Sequence, residues 1–131
     1  MNNLETNITN YLEYCRTQKC LDSKTLKAYR IDLNQFADQI PISDVIEITS
    51  QTLEETISIL HQKYKPKTVK RKIATLKSFF HYLEYKDIIM KNPFAKIHDP
   101  TVVNLSPEAL IYQAFRALFL YKKMKYFIKI T

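Results

Sequence analysis

Glycine is missing from all 131 residues, where average usage would supply about nine. Tight hairpin turns, P-loops and dinucleotide-binding turns depend on a residue that tolerates φ > 0 or close backbone approach, so those designs are disfavoured and an all-α fold is favoured. Cysteine is scarce as well. Cys15 and Cys20 stand five apart, which on a helix turns them ~140° away from each other, so no internal bridge is expected. No Cys/His metal spacing occurs, so no metal is expected, and reduced thiols in a cytoplasmic protein are the default. The opening MNNLETNITN has neither a basic nor an apolar segment of a signal peptide. The longest apolar run, 117–121, falls far short of the ~20 residues that cross a bilayer. Catalytic constellations are absent too: His61, His81 and His98 are scattered, no acidic pair stands at enzyme-like spacing, and no tyrosine has neighbours that would activate it as a nucleophile. No cofactor and no small-molecule substrate are expected.

What is present is charge, unevenly placed. The net charge is +7. Residues 1–59 carry −4, residues 60–98 carry +8 and residues 99–131 carry +3. Between 60 and 98 ten Lys/Arg face two acids, Glu84 and Asp87. Such concentration of one sign points to a polyanion.

The stretch 66–93, PKTVKRKIATLKSFFHYLEYKDIIMKNP, has the period of one amphipathic helix. Val69, Ile73, Leu76, Phe80 and Leu83 stack on one side. Lys67, Lys70, Arg71, Lys77 and His81 share an arc of roughly 120° on the other, together with the small residues Ala74 and Ser78. A basic face with small side chains suits close approach to a phosphate-walled groove. The alternative is a merely solvated face, which usually mixes signs. His81 fits a surface or phosphate-facing position better than a base. A membrane is a poorer partner, because this helix keeps no exposed large apolar face once its stripe is buried.

Upstream, a first helix is expected over 4–19, capped by Asn3, with Leu4, Ile8, Leu12 and Cys15 inward. A second follows the Asp22-Ser23 stop, over 24–39, with Leu26, Tyr29, Leu33, Phe36 and Ala37 inward, and Pro41 ends it. Its start places Ser23, Lys24, Thr25 and Lys27 where free backbone N–H groups attract phosphate; a simple cap with exposed lysines is the alternative. Residues 41–48 form a linker. A third helix starts near Thr49 or Thr52, with Thr52–Glu55 as a capping box, and turns Leu53, Ile57, Leu60 and Tyr64 inward. Asn92-Pro93 closes a short tail. Residues 98–106 lack helical period and form a linker, and Ser106-Pro107-Glu108 starts a fifth, more apolar helix within 107–131.

Two segments resemble the core-binding domain of tyrosine recombinases and phage integrases. Residues 23–36, SKTLKAYRIDLNQF, look like the pattern S-x-x-T-L-x-x-Y-x-x-D-L-x-x-F with one residue fewer between Ser23 and Thr25, and residues 68–83, TVKRKIATLKSFFHYL, followed by Asn92-Pro93, resemble that domain's fourth helix and its exit. They occur in order, about 40 residues apart, and the resemblance covers roughly residues 1–97. It implies a SAM-like bundle of four orthogonally packed helices that forms one jaw of a clamp on double-stranded DNA, with the second and fourth helices at the major groove. On matching positions it implicates Ser23, Thr25 and Lys27, with Lys67, Thr68, Lys70, Arg71 and Lys77. Residues 105–110, LSPEAL, look like the entry to the family's catalytic domain. The family's catalytic Arg, Lys, His and Tyr lie beyond that point. The first Arg sits in a glycine-containing turn, so Arg116, inside the fifth helix, does not match it.

These features lead to a truncated, non-enzymatic DNA-binding module over 1–97, a linker over 98–106 and a further helix over 107–131. The fifth helix would pack back on the bundle, pack on another chain, or begin an absent domain. An alternative role is a protein-interaction fragment that pairs through that helix with full-length recombinase subunits. A helix-turn-helix regulator fits less well, since the 41–48 linker and the long fourth helix do not suit a short turn between compact helices.

Overall fold

The computed structural model describes residues 2–97. The linker and fifth helix expected over 98–131 lie outside the described residues. Those described are all-α: helix α1 (Leu4–Thr17), α2 (Ser23–Gln39), α3 (Ser50–Lys63) and α4 (Pro66–Tyr85), with short 3-10 helices at Val45–Glu47 and Pro93–Lys96. No β-strand occurs among them. A single antiparallel bridge, Asn3 to Asp44, ties the N-terminus to the segment after α2.

Each helix begins and ends for a local reason. The Asn3 side chain caps α1 by accepting from the Thr6 N–H at 3.1 Å, as expected. The Asp22 carboxylate caps α2 through the Thr25 N–H at 2.7 Å, which starts the helix at Ser23, one residue earlier than the pattern suggests. Ile40 is extended because Pro41 follows it, and α2 stops there. Of the two starts open for α3, the structure uses the earlier. Thr49 is the cap and its capping box closes with Thr52, so the box expected over Thr52–Glu55 does not form; Thr52 is the third residue of the helix rather than its cap. α4 opens with Pro66 at its first turn, where the missing N–H costs nothing.

Two helices end on left-handed residues, and in a chain without glycine these are side-chain-bearing. Cys20 has φ 53° after α1, and Asp87 has φ 58° after α4. The 66–93 stretch is therefore not one helix. It stops at Tyr85, where Ile88 N–H bonds Leu83 O at 2.9 Å and Asp87 N–H bonds Glu84 O at 3.0 Å, a Schellman closure. α1 ends at Thr17, two residues short of expectation, and Leu21 N–H reaches back to Cys15 O at 3.1 Å. The tail is also more structured than expected: Asn92 caps the Pro93–Lys96 turn and delivers Phe94 into the core.

α4 is the central element and packs against each of the other helices. Its stripe Val69, Ile73, Leu76, Phe80 and Leu83 is buried as the spacing requires. Phe79, Tyr82, Thr75 and Lys72 are buried as well, so the covered side is wider than one stripe. Phe80 meets Phe36 from α2, Phe79, and Phe94 in edge-on or T-shaped pairs with centroids 5.4–6.1 Å apart. The consequence for function is simple. With about half its circumference held by three helices, α4 presents the remaining arc as a rigid outer face.

Candidate nucleic-acid interface

Lys67, Lys70, Arg71, Ala74, Lys77 and His81 are all exposed on α4, and Ser78 is half-buried among them. They form the arc opposite the core expected from spacing, and the acid of α4 nearest to it, the exposed Glu84, lies at its edge roughly 20° around the helix from Lys77. Lys67, Lys70 and Lys77 have no ion-pair partner among the described residues. Thr68 lies off this arc, roughly 100° from Lys67, and is half-buried in the first turn. Lys65 stands at the start of α4, whose N-terminus has no side-chain cap.

On α2, Ser23 and Lys27 are exposed and Thr25 is half-buried. The helix N-terminus there is partly capped: the Asp22 carboxylate accepts the Thr25 N–H, and hydrogen bonding to Thr25 holds its pKa below the usual carboxylate range. The chain's own anion thus fills part of the position that a phosphate would take. Ser23 and Lys27 also lie roughly 180° and 140° around α2 from Asp32, the residue that meets α4. The α4 set is one continuous face. The α2 set is a second, separate group at a helix start.

Asp32 is a buried charged residue to which spacing assigned no role. It sits on the inward side of α2 with its carboxylate 1% exposed. Lys72 Nζ donates to Oδ1 at 2.8 Å and to Gln35 Oε1 at 2.6 Å, and lies 4.8 Å from the centre of the Tyr64 ring. Arg71 Nη2 donates to the same Oδ1 at 3.1 Å, and the Thr75 hydroxyl is shared between Oδ2 at 3.3 Å and Arg71 O at 3.1 Å. Lys72 is therefore a buried, neutralised cation, although it counts among the ten bases of 60–98. Arg71 remains 52% exposed and links the buried network to the outer face. The sequence did carry a signal for this: an acid at position 32, between Tyr29 and Leu33 on an inward stripe, must find a cation if it is to stay charged.

Nothing in the described residues suggests bond-making chemistry. No cluster of three potential metal ligands occurs among them. Tyr11 is fully buried, and burial pushes its pKa above the usual phenol range, the reverse of activation. Burial likewise raises the Cys15 thiol. A cleft of about 370 Å3 lies between α2, α3 and α4 and is lined by Gln35, Gln39, Lys63, Tyr64 and the Asp32–Lys72 pair. No helix among the described residues is long and apolar enough to cross a membrane.

Comparison with known proteins agrees with the helical frame. A tyrosine recombinase of Agathobacter rectalis is 64% identical over 97 residues, which cover 74% of this chain and 32% of that protein. Tyrosine recombinase XerC of Oceanobacillus iheyensis is 32% identical over 123 residues, covering 91% and 40% respectively. Tyrosine recombinase XerD of Staphylococcus aureus is 29% identical over 111 residues. The chain thus spans 32% and 40% of the length of the first two of these relatives. No solved structure matches significantly. The family model of the phage integrase N-terminal SAM-like domain matches residues 8–86, through the whole of α2, α3 and α4, and the chain belongs to that family.

Proposed function

We propose that residues 1–97 are the DNA-binding module of a site-specific tyrosine recombinase or integrase, gripping double-stranded DNA mainly through the outer arc of α4 and secondarily through the start of α2. The observation that carries this is the predominantly basic face of Lys67, Lys70, Arg71 and Lys77, backed by a helix whose other side is locked in the core. Lysines on such a face neutralise phosphates, and the small side chains of Ala74 and Ser78 let the helix seat closely. The module breaks no DNA itself. Its described residues hold no activated nucleophile, and its Tyr11 and Cys15 are buried with raised pKa values. Residues 98–106 would serve as a linker and 107–131 as the entry to a second jaw, which the relatives' greater length accommodates. Full-length recombinase subunits are the natural protein partners, and the compartment is the one that holds the DNA, the cytoplasm.

A fluorescence-anisotropy titration with a labelled random-sequence duplex tests this. With Lys24, Lys27, Lys67, Lys70 and Lys77 on phosphates, log K should fall with log salt at a slope of roughly −4 to −5. Arg71→Ala combined with Lys77→Ala should weaken binding and make that slope shallower by about 1, from Lys77, while the cooperative thermal transition persists. An affinity independent of salt would contradict the proposal, and loss of the transition in the double variant would show that the two residues are not on an outer face.

A further inference from the structure

Resting on that DNA-binding role, we infer that Arg71 is the residue of the α4 face that reads a base, and that Asp32 is the positioning residue that aims it. The cations of the face differ in how they are held. Lys67, Lys70 and Lys77 are exposed with no ion-pair partner among the described residues, so each ammonium is a mobile point charge suited to phosphate. Arg71 is anchored. Its Nη2 donates to Asp32 Oδ1 at 3.1 Å, and that carboxylate cannot drift, because Lys72 Nζ at 2.8 Å and the Thr75 hydroxyl at 3.3 Å hold both its oxygens. Asp32 is 1% exposed and Lys72 6%, so the anchor belongs to the core, while Arg71 at 52% exposure stands at its solvent edge.

A guanidinium has five donors in a planar fork, and only one is hydrogen-bonded to the carboxylate. The other four are not committed to it, and the half-exposed side chain is restrained at Nη2. That restraint removes side-chain entropy before binding, and a fixed fork matches the O6 and N7 acceptors of guanine in the major groove. The neighbours favour the same role. Ala74 and Ser78, three and seven residues on, are the small members of the arc and leave room beside Arg71 for base edges. If Arg71 moves on binding, Asp32 keeps Lys72 and Thr75, so no buried charge is stranded.

The test is selection of bound duplexes from a randomised pool, followed by sequencing. Wild type should enrich guanine at one position by about tenfold over the other bases. Arg71→Lys keeps the charge but not the fork and should flatten that preference. The pair Asp32→Asn with Lys72→Met leaves net charge unchanged and removes the anchor; it should keep the random-duplex affinity and salt slope yet reduce the guanine preference at least threefold. Lys70→Ala should lower affinity for all sequences and leave the preference intact. A guanine preference that survives Arg71→Lys, or a wild type that binds duplexes without any preference, overturns the inference while leaving DNA binding in place. Failure of wild type to bind any duplex would instead overturn the DNA-binding role. Should the Asp32/Lys72 variant fail to fold, Arg71→Lys still decides.

Discussion

Replacing Lys72 by Met removes the charge that Asp32 was buried against. The structure allows the cost to be worked out. Lys72 supplies the 2.8 Å bond to Asp32, the 2.6 Å bond to Gln35 and the contact over Tyr64. Asp32 would retain the Thr75 hydroxyl and the half-exposed Arg71, so the loss should fall below the usual 3–5 kcal/mol for breaking a buried pair, at about 2 kcal/mol. Asp32→Asn is harsher. It leaves the Lys72 ammonium buried without a counter-charge, among neutral amide oxygens and a ring face, at about 4 kcal/mol. The double variant strands neither charge, and Met fills most of the space, so it should cost only about 2 kcal/mol in all. The coupling between the two positions is then about 4 kcal/mol. For a domain near 100 residues, the Asp32→Asn loss alone lowers Tm by roughly 15–30 °C. Urea unfolding followed by circular dichroism at 222 nm measures all four states. Single variants that each cost less than about 1 kcal/mol, or costs that simply add, would show that the network is not closed as described.

Two further outcomes follow from the helix ends. Asp87→Gly removes a side chain from a left-handed residue and should stabilise the fold by about 0.5–1 kcal/mol, read as a raised urea midpoint at unchanged m-value; destabilisation would mean that the Asp87 side chain makes a contact worth more than the strain. Asp22→Asn keeps a capping oxygen at α2 but removes the anion beside Ser23, Lys24 and Lys27, so random-duplex affinity should rise by a factor of about two to five in anisotropy at low salt. No change would remove the start of α2 from the interface.

The helical frame was legible because its determinants are local or periodic. Leu4, Ile8 and Cys15 on α1, Leu33 and Phe36 on α2, Leu53, Ile57 and Leu60 on α3, and the α4 stripe all went where 3.6-residue spacing sends them. The exposed arc of α4 came with them, since it is the complement of the stripe. What escaped depended on partners distant in sequence or on single dihedral angles. Lys72 looks like any other base in a basic run until Asp32, forty residues away, is brought beneath it. The end of α4 was overrun because the usual stop signal is glycine, and here Asp87 takes the left-handed position instead. At α3, Thr49 and Thr52 were both plausible caps, and only the path of the preceding chain selects the first. At the start of α2, the Thr25 N–H is taken by the residue just before the helix, Asp22, a cap that the Asp22-Ser23 pair already suggested.

The central claim is that the outer arc of α4 lies on DNA. The most direct measurement is an NMR titration of the 15N-labelled chain with a short duplex at low salt, following backbone amides and the arginine side-chain Nε–H. Shifts concentrated at Lys67, Lys70, Arg71, Ala74, Lys77, Ser78 and His81, with the Arg71 Nε–H among the largest, are the predicted result. Shifts centred on α1 or α3 while this arc stays silent would contradict the account.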